Sequence, residues 1–219
     1  MNSKKARVDV LIPTYNREKY LVSCIDSIIR QTFKDINIII YDDGSTDNTE
    51  AIVKGLQKAH KNIQYIKSKE NRGVGFARNI LLESSTADYL MWQDSDDIAH
   101  EQRVEKLLEY MDWGCHQGLD IIFSDLVFFQ DGKSFKRSKT ISKVDITKYV
   151  NREGLYNNMN FATAFFRKEL KGFKFDEELE RKEDVVWITK LIERRVRFGY
   201  IEAPLYYCRR HKDRLTYTK

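Results

Sequence analysis

Apolar and polar positions along the chain switch repeatedly between a strand-like and a helical period. Val8 to Ile12 is a short apolar run ending at Pro13, which predicts a buried strand. Tyr20, Leu21, Cys24, Ile25, Ile28 and Ile29 then recur at helical spacing, with Asn16 available to cap the helix. Ile36 to Tyr41 is a β-branched strand, and Asp47 and Glu50 stand as a capping box before a helix carrying Ile52, Val53 and Leu56. Ile63 to Ile66 predicts a third strand, Val74 to Leu82 a third helix, Tyr89 to Trp92 a fourth strand and Glu101 to Met111 a fourth helix. Further on, Asp120 to Phe129, Phe161 to Phe166 and Phe198 to Tyr207 read as strands, and Val185 to Ile192 as a helix.

Four strand–helix alternations within about 110 residues predict an α/β fold, with a mostly parallel sheet flanked by helices on both sides. Ligands of such sheets sit at the carboxyl ends of the strands. Three polar clusters fall there: Thr14 to Asn16, Asp42 to Asp47, and Asp94 to Asp97. The second half is less regular and reads as a smaller addition to the same core.

In Asp94-Ser95-Asp96-Asp97, three carboxylates follow a strand. They repel one another unless a hard divalent cation, Mg²⁺ or Mn²⁺, is shared with phosphate oxygens. Helix capping by Asp96 or Asp97 is the plainer alternative. Asp42 to Asp47 is a second acidic turn, with Gly44 permitting the bend; an exposed carboxylate there suits a base N–H, and ordinary turn chemistry suits it equally. A calcium loop is excluded, because a strand enters and the twelfth residue is Val53. Asn71 to Asn79 lacks the third glycine of a dinucleotide fingerprint, since Arg78 stands in its place. Arg72 or Arg78 there suits either a phosphate or an acidic partner. Glu183-Asp184 opens a helix, where the dipole favours acids. His211, between Arg210 and Lys212, reads first as a surface histidine.

Composition narrows the setting. The hydrophobic fraction of 42% and charged fraction of 32% are those of a globular domain, and the apolar runs are too short to span a bilayer. Cys24, Cys115 and Cys208 stand far apart, which argues against a disulfide framework or structural zinc, and Cys24 falls on an apolar helix face. A cytoplasmic protein is expected. The net charge of +5 is concentrated in Lys133, Lys136, Arg137, Lys139 and Lys143 and in the tail, a pattern that suits a diphosphate or an acidic lipid surface, or is a solvated basic loop. Without interleaved stacking aromatics it does not point to nucleic acid.

Together these segments resemble the family 2 glycosyltransferases of the GT-A fold. The likeness rests on Ile12-Pro13-Thr14-Tyr15-Asn16, Asp42 to Asp47, Asn71 to Asn79, Asp94-Ser95-Asp96-Asp97, Glu183-Asp184, and Tyr207 to His211 with Leu215-Thr216, in that order. The resemblance implies one GT-A domain over residues 1–219, with residues 1–98 binding the nucleotide-sugar and 99–219 facing the acceptor. It implies an inverting transfer from a nucleotide-sugar, UDP first, to a hydroxyl of a saccharide or lipid-linked acceptor in cell-surface glycan synthesis. Asp184 would be the base. Pro13, Thr14, Tyr15, Asp43, Arg78, Asp94, Ser95 and Asp96 would bind the donor, and Asp94, Asp96, Asp97 and His211 would hold Mn²⁺ or Mg²⁺. Residues 133–143 would offer peripheral contact with a membrane, and no further module is expected after Thr216. A sugar-1-phosphate nucleotidyltransferase would need a glycine-rich loop after the first strand, where Thr14-Tyr15-Asn16 has none. A silent scaffold would have no need of both the DxD acids and Asp184.

Overall fold

The computed structural model describes residues 6–114, 118–131, 136–137 and 160–214. Its strands are β1 (Val8–Thr14), β2 (Ile36–Asp42), β3 (Ile63–Lys67), β4 (Tyr89–Trp92), β5 (Ile98–Ala99), β6 (Ile121–Phe129), β7 (Lys136–Arg137), β8 (Phe165–Arg167) and β9 (Phe198–Arg209). Its helices are α1 (Leu21–Ile29), α2 (Thr49–Ala59), α3 (Val74–Ser84), α4 (Arg103–Gly114) and α5 (Glu183–Glu193). Among the described residues these strands form one sheet in the order β3-β2-β1-β4-β8-β6-β9-β5, with β7 beside β6. The first four are parallel, as the alternation predicts. β8 then runs antiparallel to both β4 and β6, and β9 enters parallel to β6.

Alternate residues of the central strands feed opposite layers. Val8, Val10 and Ile12, with Ile36, Ile38 and Ile40, pack on α1 and α4; Leu11, Ile39, Tyr41, Leu90 and Trp92 face α3 and α5. Strands covered on both sides are therefore continuously apolar. Asp9 interrupts β1 without leaving a bare charge, because Asn37 Nδ2 and the Thr86 and Ala87 N–H groups donate to it at 2.7–3.1 Å.

Three local expectations are corrected. Asn16 does not cap α1. It sits at φ 51°, its N–H donates to Ser45 Oγ and its Oδ1 accepts from Thr46 N, so it ties the loop after β1 to the loop after β2. The capping box at α2 is absent: Asp47 accepts from the N–H groups of Glu18 and Thr49, and Glu50 pairs with Lys54 and Lys67. Phe161 to Phe166 is a 3₁₀ turn, Phe161–Thr163, followed by the short β8. Asn160 forces that turn, since its Oδ1 accepts from Ala162 N. Cys24 is buried, as its helix face predicts. Of the basic run 133–143 only the strand pair Lys136–Arg137 lies within the described residues, and Cys115 and Thr216 lie outside them. Among the described residues no helix is long and apolar enough to cross a membrane.

Candidate active site

β1, β2 and β4 are parallel neighbours, so their following loops emerge together at one edge of the sheet. Asp43 N donates to Thr14 O at 2.9 Å, and the Cys24 thiol donates to Asp94 O at 3.3 Å. Pro13 is half-buried, Thr14 is buried with its hydroxyl unpartnered, and Tyr15 is 41% exposed. Asp42 accepts from Ser45 N at 2.8 Å and from the Tyr65 hydroxyl, which fixes the second loop. Asp43 accepts from Arg72 N at 2.9 Å and Gly73 N at 2.8 Å. It therefore organises the entrance to α3, where Gly73 adopts φ 91°, a region unfavourable for a side chain bearing Cβ. Burial nonetheless leaves the Asp43 carboxyl above its ordinary pKa, against the pull of those two N–H bonds. Beside this loop lies an open hollow of about 420 Å³, lined by Gly44, Ser45, Thr46, Glu50, Lys67 and Ser68.

The acidic turn is divided by its burial. Asp94 is half-buried; burial raises its pKa, the Arg78 cation opposes that, and the charges of Asp96 and Asp184 add to it. Ser95 is buried within the turn. Asp96 is held 3.0 Å from His211 Nε2 and 3.4 Å from Arg17 Nε. Burial would raise its pKa, but the His211 bond and the charges of Arg17 and Arg214 leave it below the ordinary value. Asp97 is fully buried and accepts from the Tyr206 hydroxyl at 2.8 Å and Arg209 N at 2.7 Å. Burial, with Asp96 and Asp94 close by, pushes its pKa up to about 8. Asp97 is thus an internal anchor that joins the turn to β9, while Asp96 is buried against His211 and Arg17 and Asp94 is the most exposed of the three.

β9 and the residues just after it pack against this turn. The expectation of a surface position for His211 is corrected: its side chain is 8% exposed, lies tilted against Tyr20 with ring centroids 4.3 Å apart, and among the described residues keeps Nδ1 buried without a partner. Arg209 donates to Asp96 O, Ser23 Oγ and Asp131, and Arg214 reaches Asp97 at 3.7 Å. Arg78 pairs with Glu183, the acidic partner that the sequence left open, and Arg72 lies over the Phe76 ring at 3.5 Å. Asp184 is half-buried in the first turn of α5, and its Oδ1 accepts from Val185 N at 2.8 Å. Sequence reasoning missed Arg17, Tyr206, Arg209 and Arg214 as neighbours of the acids; the basic tail was visible only as charge. It also missed Arg103, which is fully buried behind the turn and donates to Gln93 Oε1, Trp92 O and Ala162 O.

Among the described residues no three His, Cys, Asp or Glu side chains converge into a complete metal cage. Mg²⁺-like ions are commonly held by one or two carboxylates together with substrate phosphates, keeping several waters. Asp96 and His211, 3.0 Å apart, with half-buried Asp94 in the same turn, are the residues available for such a partial set, with diphosphate oxygens supplying the rest.

A parallel sheet extended by antiparallel strands, with acids at its strand ends, is the GT-A glycosyltransferase fold. S. aureus TarS in complex with UDP superposes with a TM-score of 0.77 over 94% of this chain and 61% of TarS, at 23% identity. The mannosyltransferase PcManGT from Pyrobaculum calidifontis, in complex with GDP-Man and Mn²⁺, gives 0.67 over 98% of this chain and 59% of that one, at 18% identity. The chain belongs to glycosyl transferase family 2, whose family model matches residues 9–173. An uncharacterized glycosyltransferase, MJ1057 of Methanocaldococcus jannaschii, is 35% identical over 90% of this chain and 69% of its own length. The minor teichoic acid biosynthesis protein GgaB of Bacillus subtilis is 32% identical over 97% of this chain, which spans only 24% of GgaB.

Proposed function

We propose that this chain transfers a sugar from a nucleoside diphosphate donor, UDP first, to a hydroxyl of a saccharide or lipid-linked acceptor, with inversion. The observation that carries the reading is the buried Arg78–Glu183 ion pair, which ties the opening of α5, where Asp184 stands, to α3 in the half of the chain that carries the donor-side acids. Acids contributed by both halves of the chain suit a donor side and an acceptor side. Asp184 takes the acceptor proton as the acceptor oxygen forms its bond to the anomeric carbon. The bond from that carbon to the diphosphate breaks, and the nucleoside diphosphate leaves with the electron pair.

Asp94, Asp96 and His211 would hold Mn²⁺ or Mg²⁺, which when bound offsets negative charge on the leaving diphosphate. Thr14, Asp43 and the hollow beside Gly44 receive the nucleoside end. UDP bound to TarS and GDP-Man bound to PcManGT support a nucleotide-sugar donor and set UDP against GDP. The likeness to GgaB supports a cell-surface polymer as the setting. The test is release of UDP or GDP from a panel of UDP-sugars and GDP-mannose, each with Mn²⁺ and with EDTA. Metal-dependent turnover of one UDP-sugar is expected, and turnover of none of the panel overturns the reading.

A further inference from the structure

Arg78 on α3 and Glu183 at the start of α5 are each 7% exposed, and Arg78 Nη1 donates to Glu183 Oε1. The rings of Phe161, Phe175 and Trp92 lie 4.3, 5.4 and 5.9 Å from the guanidinium carbon. Trp187 of α5 stacks on Phe175 at 5.3 Å, so the same aromatic group packs the helix. A charge pair desolvated this far contributes little net stability compared with apolar side chains of similar volume. Its geometry points to another task. Lys182, immediately before α5, adopts φ 64° and ψ 19°, a left-handed conformation unfavourable for a residue with a Cβ. That bend precedes Glu183, which is buried against Arg78, and Asp184, which stays half-buried.

We infer that the Arg78–Glu183 pair is a positioning device that fixes the start of α5, and with it Asp184, relative to α3 and the donor half of the chain. The inference rests on the reading of Asp184 as the base. Arg78 is suited to the task because it binds Glu183 and is itself held among the rings of Phe161 and Phe175. One guanidinium thus joins α3, from the donor half, to the helix bearing the base. Arg78 is then a positioning residue and not a phosphate contact.

The test is a double-mutant cycle at saturating donor, using the nucleotide-sugar found in the panel, with calorimetry of UDP or GDP alongside. Glu183→Gln keeps the shape and removes the charge that holds Arg78. A displacement of about 1 Å at a reacting group costs roughly 10²-fold in rate, and that loss of turnover is expected, with nucleotide affinity unchanged. In an Asp184→Asn background the same change should cost nothing further, because it acts through the missing base. An equal loss in both backgrounds overturns the positioning role alone. So does a fall in nucleotide affinity with turnover at saturation preserved, which would make the pair a donor contact. Wild-type turnover in Asp184→Asn alone overturns the base reading and the positioning role with it. If Glu183→Gln does not fold, Glu183→Asp, which keeps the charge and shortens its reach, takes its place in the same cycle.

Discussion

The hydroxyl of Tyr206 serves both ends of the acidic turn: it donates to Asp97 Oδ2 at 2.8 Å and accepts from the N–H of Asp94 at 3.2 Å. Tyr206 is fully buried in β9, so a single side chain from the end of the sheet sets the shape of the loop that follows β4. Tyr206→Phe leaves a buried carboxylate oxygen and a backbone N–H without this partner. The expected cost is roughly 1–3 kcal/mol of stability, read by denaturant unfolding. Donor nucleotide binding should weaken too, because the turn carrying Asp94 and Asp96 loosens. Unchanged stability would show that Asp97 is held by Arg209 N alone.

Asp96 and His211 meet at 3.0 Å, and both belong to the proposed metal set. Asp96→Ala should weaken UDP binding in Mn²⁺ to the level seen for the native protein in EDTA. His211→Ala should raise the Mn²⁺ concentration needed for half-maximal UDP binding, because it removes a ligand and leaves the carboxylates. Calorimetry in a Mn²⁺ series reads both. Equal UDP affinity with and without metal in the native protein removes the metal assignment.

Asp184→Asn keeps the oxygen that accepts from Val185 N, so α5 should still form. A base acting only in the transition state lowers turnover without changing ground-state affinity. The expected loss is about 10²–10⁴-fold in transfer, with UDP affinity near that of the native protein. Transfer at the native rate would reduce Asp184 to a helix-start residue.

The basic run carries five cations between Lys133 and Lys143 with no acid among them. Near an anionic membrane each Lys or Arg contributes about 1 kcal/mol of attraction, screened by salt. Neutralising Lys136, Arg137 and Lys139 together should weaken binding to liposomes containing anionic lipid at low ionic strength, measured by co-sedimentation. Unchanged binding returns the run to an ordinary solvated loop.

Arg103 extends the same logic beneath the turn. Among the described residues its fully buried guanidinium has three acceptors and no paired carboxylate, and burial lowers its pKa to about 10. Arg103→Met should cost on the order of 3 kcal/mol, since it strands Gln93 Oε1 and two carbonyls. Thermal unfolding checks this, and a native-like melting temperature would mean that water replaces the guanidinium there.

The periodicity of the sequence determined the four parallel strands, their covering helices and the collection of Thr14, Asp43 and Asp94 at one edge of the sheet. That follows because burial on a regular element is a local property, repeated every two or every 3.6 residues. The acids Asp94, Asp96, Asp97 and Asp184 were legible as chemistry for the same reason, as short polar interruptions at predicted element ends. Partners were not legible. Arg78 meets Glu183 across 105 residues, Tyr206 meets Asp97 across 109, and His211 meets Asp96 across 115. The insertion of β9 beside β6 and β5 brings Tyr206 and His211 to the acids, and the packing of α5 near α3 brings Glu183 to Arg78; no spacing within one element encodes either closure. The tertiary structure therefore decided that Asp97 is an anchor and that His211 is buried against Asp96 and Tyr20. It also decided that Arg78 faces an acid, because desolvation penalises a buried charge until a partner of opposite sign reaches it.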